Sequence, residues 1–290
     1  MGDGEIPPLS EVPEYTPTSL SSPISQYCFT LQAHRGENRI VSGTGVAIAP
    51  YLVLTAGHVI EDFARQLLDM TLEGSTRVAF ESRHSLLAAH IRHDLNLASV
   101  WNVTKYWVAR FTDLALLRLT PRTTEQPEYV WRCPQLNMIP PPIGARVASF
   151  GYTKSHSRRD EAGKITWYAE GITSTGFVQE HHWERRDNAM LPFPCYRTNT
   201  RIDGGMSGGP AFNNDGELVG ACSSAMSEPA ENGQYTAYVA ALWPLMGMKI
   251  DYLTEGEFLP LLELARREII HTSNLDRVTI DEHGIVTVTV

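Results

Sequence analysis

From Tyr27 to about Thr120, β-branched and aromatic residues come in short runs broken by Gly, Pro and polar turns. That pattern predicts strands. Two of the runs are strongly apolar and end on chemistry. Leu52-Val53-Leu54 leads through Thr55-Ala56-Gly57 to His58, and Asp113 opens Leu114-Ala115-Leu116-Leu117-Arg118-Leu119. The strand pattern is interrupted by a helix-capable stretch at Ile60–Leu72 and by a polar segment reaching about Arg110. Prolines between residues 121 and 144 mark a connection. A second strand-rich region begins at Ala145-Arg146-Val147-Ala148 and runs to about Ala241, carrying two polar loops at Ser155–Lys164 and Gln179–Asn188. After Trp243 the period changes: Phe258, Leu261, Leu262, Ala265 and Ile269 fall at helical spacing, with Thr254 as N-cap. Arg277–Ile280 and Ile285–Val290 alternate around Glu282-His283-Gly284 and predict a hairpin. The expected organisation is an extended tail at 1–25, rich in Pro, Ser, Thr and Glu and outside the core. It is followed by strand-rich units at 26–120 and 145–250, a linker at 121–144, and a helix with a hairpin at 251–290.

The segment Gly204-Gly205-Met206-Ser207-Gly208-Gly209-Pro210 puts a serine on a tight glycine turn. A serine hydroxyl is a weak nucleophile at neutral pH and needs an imidazole to take its proton. The imidazole in turn needs a carboxylate to fix its tautomer and stabilise its charged form. His58 and Asp113 are the candidates. The amides of Gly205 and Ser207 are the candidate donors to an oxyanion, and glycine at 205 leaves room for the turn and for an acyl group. Asp94, in His93-Asp94-Leu95-Asn96, is the rival carboxylate. It lies in a His/Arg-rich stretch that reads as a solvated loop, whereas Asp113 opens an apolar strand. His181-His182 and the other histidines have no partner at metal-ligand spacing, so no metal and no organic cofactor are expected.

Composition narrows the class. With 290 residues, 42% of them hydrophobic and 20% charged, the chain can bury a large core. A formal charge of −9 argues against nucleic-acid binding through bulk electrostatics and against a membrane surface. No segment is long and apolar enough to span a bilayer, and the stretch after Met1 has neither a basic region nor an apolar run. Ile6 also departs from a myristoylation pattern. A chain starting at Met1 is therefore expected to be cytoplasmic, with Cys28, Cys133, Cys195 and Cys222 as thiols and the sequon at Asn102 unused.

In the three motifs the chain resembles the trypsin-like serine peptidases, and most closely their bacterial HtrA-type branch. Thr55-Ala56-Gly57-His58 is similar to that family's histidine motif, Asp113-Leu114-Ala115-Leu116-Leu117 to its aspartate motif, and Gly205-Met206-Ser207-Gly208-Gly209-Pro210 to its serine motif. The resemblance covers about residues 25–250. It implies an all-β fold of two packed six-stranded antiparallel β-barrels with the active site between them, and a peptidase acting on polypeptides. It also implies that Arg201 lines the primary specificity pocket, where a cation would favour acidic side chains. The alternative is that this loop is arranged differently and Arg201 pairs with a surface carboxylate. Ser223, Ser224 and Ala225 fall, by the same resemblance, on the stretch that pairs with the substrate backbone. Met206 stands where secreted, zymogen-type members carry an aspartate, and their flanking cysteines are missing. The C-terminal segment is too short for the PDZ domain common in HtrA-type proteins. Two other classes stay open. One is a latent or non-catalytic module that binds extended peptides or a regulatory protein partner. The weaker is an esterase, whose Gly-x-Ser-x-Gly elbow is not the context here.

Overall fold

The computed structural model describes residues 13–19, 22–35, 38–68, 85–92, 97–109, 111–122, 129–159, 165–226, 228–230 and 234–290; Asp94 lies outside them. After a short strand β1 (Tyr15–Pro17), six strands follow: β2 (Cys28–Arg35), β3 (Asn38–Ala49), β4 (Leu52–Ala56), β5 (Ser85–Arg92), β6 (Leu97–Val108) and β7 (Leu114–Pro121). They close an antiparallel barrel in the order β2-β3-β4-β7-β6-β5. A two-residue strand β8 (Leu136–Asn137) leads into β9 (Arg146–Arg159), β10 (Ile165–His182), β11 (Cys195–Thr198), β12 (Pro210–Phe212), β13 (Leu218–Ala225) and β14 (Ala237–Ala241). These run β12-β9-β10-β11-β14-β13, and β13 pairs back onto β12 to close the second six-stranded barrel. The fold is thus the all-β, two-barrel architecture that the resemblance implied.

Why β4 and β7 read as unbroken apolar runs follows from the period of two along a strand. Both faces of these strands are buried. Val53 and Ala56, with Ala115, Leu117 and Leu119, fill the interior of the first barrel beside Phe29, Trp101 and Tyr106. Leu52, Leu54, Leu114 and Leu116 face outward into a cluster shared with Phe150, Tyr152 and Phe212 of the second barrel. This wall fixes how the barrels meet and leaves the ends of β4 and β7 at the junction. An ion pair adds a tie at the periphery, where Lys105 Nζ of β6 donates to the buried Asp251 carboxylate at 2.9 Å. Burial by itself would raise the Asp251 carboxyl, but Lys105 and a backbone amide outweigh it and hold it below its usual range.

Four expectations are corrected. The described part of the tail is not detached: β1 pairs with β10 while staying half-buried to exposed, and Ile24 and Ser25 are buried in a 3-10 turn at Pro23–Tyr27. The polar segment before Arg110 supplies β5 and β6, whose Trp101, Tyr106 and Trp107 are fully buried. Ser155 and Gln179 lie inside strands, since β9 and β10 form one long hairpin. The C-terminal helix is shorter than the apolar spacing suggested. As α2 it covers Leu261–Arg266, starts after Pro260 instead of Thr254, and leaves Phe258 exposed. Lys249–Ile250 and Leu259–Pro260 pair as strands, which takes Phe258 out of the helical pattern. The terminal hairpin forms between Val278–Ile280 and Val286–Val288. Among the described residues, no helix is long and apolar enough to cross a membrane.

Candidate active site

Sheet register brings His58 and Asp113 together. β4 and β7 pair Thr55 with Ala115 and Ala56 with Leu114, so the next step along this ladder sets Asp113 beside the turn where β4 enters helix α1 (Gly57–Phe63). The Asp113 carboxylate then grips residue 58 twice. Oδ1 accepts the His58 backbone N–H at 2.8 Å, and Oδ2 lies 2.8 Å from His58 Nδ1. The Asp113 side chain is only 10% exposed against 37% for His58, so the carboxylate is sunk behind an imidazole that faces the cleft. Burial alone would lower the His58 pKa; the hydrogen bond and charge of Asp113, helped by Asp62 and Glu61, outweigh it and raise the pKa above the ordinary 6.5.

The Ser207 loop joins β11 to β12 and is held from both barrels. Within it, the Met206 N–H donates to the Asp203 carbonyl at 3.0 Å and the Gly209 N–H to the Met206 carbonyl at 2.9 Å. From β13, the Cys222 carbonyl accepts the Gly208 N–H at 2.7 Å. From the first barrel, Thr44 makes three bonds to the second. Its N–H donates to the Ser207 carbonyl at 2.8 Å, its hydroxyl donates to the Gly205 carbonyl at 2.8 Å, and that hydroxyl accepts the Tyr152 N–H at 2.8 Å. The Thr44 carbonyl accepts the Thr55 hydroxyl at 2.7 Å, which locks this corner to the strand that carries His58. Glycines make the closeness feasible. Gly205 has φ +95° and Gly208 φ +79°; a Cβ on Gly208 would fall 2.4 Å from the Thr44 carbonyl and 2.6 Å from the Ala56 nitrogen. Ser207 is therefore seated against the end of β4, next to helix α1, whose second residue is His58.

The Ser207 hydroxyl and the N–H groups of Gly205 and Ser207 have no hydrogen-bond partner among the described residues. A cleft of about 470 Å³ opens beside His58 and Asp113, with Phe111, Met190, Phe193 and Ser223 among its lining residues.

The remaining expected residues divide. Ser223, expected on the substrate-pairing strand, lies on β13 two residues before its end, and its hydroxyl donates to Asp113 Oδ2 at 2.5 Å, making it a third contact on the carboxylate. Ser224 and Ala225 are the half-exposed end of the same strand. Arg201 takes the alternative weighed for it. Its Nε and one terminal nitrogen each donate to the Asp203 carboxylate at 3.0 Å, and its guanidinium lies over Tyr15 at 4.2 Å and over Tyr235 at 5.4 Å. That cation is already matched by a carboxylate. His181 lies 2.8 Å from the Pro141 carbonyl through Nε2, far in sequence from the three motifs. Thr44, Tyr15 and Asp203 were not singled out beforehand. For Thr44 the available signal is a hydroxyl between two glycines, Gly43 and Gly45, just before the apolar run Val46-Ala47-Ile48-Ala49.

Two closed six-stranded antiparallel barrels, with the His58–Asp113 pair where they meet, define the class of trypsin-like peptidases. Residues 43–220 match the trypsin-like peptidase domain family, and the chain belongs to it. Among solved structures, that of Deg5 superposes with a TM-score of 0.50 at 14% identity, covering 81% of this chain and 92% of that one. The active form of the Rv3671c protease from M. tuberculosis gives 0.41 at 17% identity, with 75% and 77% covered. The HtrA-type protease AlgW with tripeptide gives 0.42 at 13% identity, with 75% and 56% covered. At these identities the likeness concerns the fold alone. No curated protein sequence matches the chain.

Proposed function

We propose that the protein is a serine endopeptidase working through an acyl-enzyme on Ser207, with His58 as general base and Asp113 as its orienting carboxylate. The observation that carries this reading is the pair of hydrogen bonds that Asp113 accepts from His58, through backbone and ring. With Nδ1–H donating to Asp113, Nε2 keeps its lone pair and can take the Ser207 proton as Oγ bonds to a peptide carbonyl carbon. Collapse of the tetrahedral adduct breaks the C–N bond, and the imidazolium returns the proton to the leaving amine. Water, deprotonated by the same imidazole, then releases the acyl group. The N–H groups of Gly205 and Ser207 are the proposed oxyanion donors, and removal of one such donor typically costs about 3 kcal/mol. The substrate on this reading is an extended polypeptide laid along Ser223, Ser224 and Ala225.

One observation favours a second reading. Ser207 makes no hydrogen bond to His58, which fits a latent module whose loop is completed by a regulatory protein partner. In uncomplexed enzymes this bond is often long, so the catalytic reading is preferred. A fluorophosphonate probe separates the two. Labelling of wild type at Ser207, abolished in Ser207→Ala and His58→Ala, supports the constitutive peptidase. A wild-type protein that stays unlabelled until a partner is added supports latency. Cleavage of a peptide library by the labelled-competent protein then tests the substrate class.

A further inference from the structure

We infer that the N-terminal strand is an internal brace for the nucleophile loop, with Tyr15 as its positioning residue; its effect on turnover rests on the function proposed above.

The strand is held by more than its own three residues. β1 pairs Tyr15 with Ser174, Thr16 with Thr173 and Pro17 with Ile172. On either side, the Thr175 N–H donates to the Glu14 carbonyl at 2.8 Å and the Thr18 N–H to the Gly171 carbonyl at 2.7 Å. The Glu14 N–H reaches the Thr175 hydroxyl at 3.0 Å, and the Thr18 and Thr173 hydroxyls lie 2.5 Å apart. Backbone addition to a sheet edge needs no apolar side chains, which suits a segment so poor in them.

This register delivers the Tyr15 phenol to the loop, where its hydroxyl donates to Asp203 Oδ2 at 2.5 Å. Asp203 heads the turn that ends one residue before Ser207, because its carbonyl accepts the Met206 N–H at 3.0 Å. The same carboxylate holds Arg201, whose guanidinium lies over the Tyr15 ring and whose backbone N–H donates to Ser174, the register partner of Tyr15, at 2.8 Å. Tyr15, Arg201, Asp203 and Ser174 thus form a closed set linking β1 and β10 to the loop. The protonation states agree with it. Burial would raise the Asp203 carboxyl, but Arg201 and Tyr15 hold it below the usual carboxylate range, while burial and Asp203 push the Tyr15 phenol well above its own.

The loop needs such a hold. Gly204 and Gly205 are consecutive, and glycine has the largest conformational freedom to lose. Besides Met206 Sδ of the same loop, which accepts the Asp203 N–H at 3.4 Å, side-chain hydrogen bonds reach residues 201–205 at three described places: Ser174 on the Arg201 amide, Tyr15 on Asp203 and Thr44 on the Gly205 carbonyl. Ser174 and Tyr15 act on the approach to the turn, Thr44 on its far side. A displacement of about 1 Å in a reacting group can lower turnover by about a hundredfold, so slack at Asp203 should be read at Ser207.

The test uses the full chain with Tyr15→Phe, which keeps the ring over Arg201 and removes only the hydroxyl. Two readouts are taken: amide hydrogen exchange over residues 203–208, and the rate of fluorophosphonate labelling of Ser207. A half-exposed hydrogen bond to a carboxylate sets the expected size. Exchange should rise about three- to tenfold in that stretch alone, with labelling and kcat falling by a similar factor, KM within about twofold and the melting temperature nearly unchanged. Asp203→Asn weakens the same link from the other end, so its effect should not add to that of Tyr15→Phe. Unchanged exchange at 203–208, or full additivity of the two substitutions, would overturn the brace. Raised exchange with a wild type that never labels would leave the brace standing and sink the peptidase reading. Labelled wild type with unaltered exchange would do the reverse.

Discussion

Replacing Thr44 with valine deletes one hydroxyl and leaves the shape almost unchanged. Thr44 and Tyr152 are both fully buried. The substitution therefore strands the Tyr152 N–H and the Gly205 carbonyl, each now paired at 2.8 Å. An unsatisfied buried polar group costs about 1–3 kcal/mol, but the two costs fall in different places. The Tyr152 N–H is fixed in β9 and cannot escape, so its share is lost from the stability of the fold. At about 2–4 °C per kcal/mol for a chain of this size class, the melting temperature should fall by several degrees. The Gly205 carbonyl is half-buried on a glycine, and it can turn toward water. That rotation moves the peptide between residues 205 and 206 and disturbs the aim of the Gly205 amide. If that amide is an oxyanion donor, kcat should fall by about 10²-fold, the range seen when one donor is removed elsewhere. Steady-state kinetics on a cleaved peptide, run well below the melting temperature of the variant, separate the two losses. Thr44→Ser keeps donor and acceptor and should restore most of kcat. A Thr44→Val enzyme within twofold of wild type, or a serine variant as impaired as the valine one, would refute the assignment.

Asp113→Asn should lower kcat by roughly 10⁴-fold, because an amide can hold the imidazole in the wrong tautomer. The pH profile carries its own sign. The working base is neutral His58, and its pKa is raised, so kcat/KM should rise with pH through a value above 6.5 and then plateau. The protonated pair with Asp113 contributes stability that is full below the unfolded pKa and is lost as pH rises through the folded one. An inflection at or below 6.5 would contradict the geometry. For specificity, a positional-scanning library should find no preference for Asp or Glu at the cleaved residue, since Asp203 already matches Arg201; a strong acidic preference abolished by Arg201→Ala would restore the opposite view. Thiol reagents should react slowly with native protein and find four thiols after denaturation. Cys28, Cys195 and Cys222 are buried, and burial pushes the thiols of Cys133, Cys195 and Cys222 up to about 12.

What could be read in advance depended on whether side chains carried the signal. β4 and β7 announced themselves because both of their faces are buried, and the three motifs because glycine, histidine, aspartate and serine are needed in those places chemically. β5 and β6 were hidden by polar residues interleaved with the buried set, as in His90, Asn102, Thr104 and Lys105 among Leu86, Trp101, Val103 and Tyr106. β1 was hidden more completely. Its attachment is made by main-chain hydrogen bonds, and a Pro/Ser/Thr-rich composition says nothing about those. Apolar spacing near Phe258 matched a helix, yet a two-residue strand pair claimed that segment first, a tertiary choice that local periodicity does not encode. The Ser223 hydroxyl on Asp113 was similarly out of reach, because it depends on how the end of one barrel strand meets the other barrel.

The Thr44 corner also bears on the order of events when the chain first folds. Its hydrogen bonds run between barrels that are built from separate halves of the sequence. Until those halves dock, Ser207 sits on a glycine loop with no partner on the Thr44 side, and the imidazole belongs to a different unit. Each barrel can complete its own strand pairing without producing a working nucleophile. On the function proposed above, the Thr44 side of the Ser207 loop is complete only once the barrels have docked, so a chain whose halves are folded but not docked lacks the geometry for that chemistry.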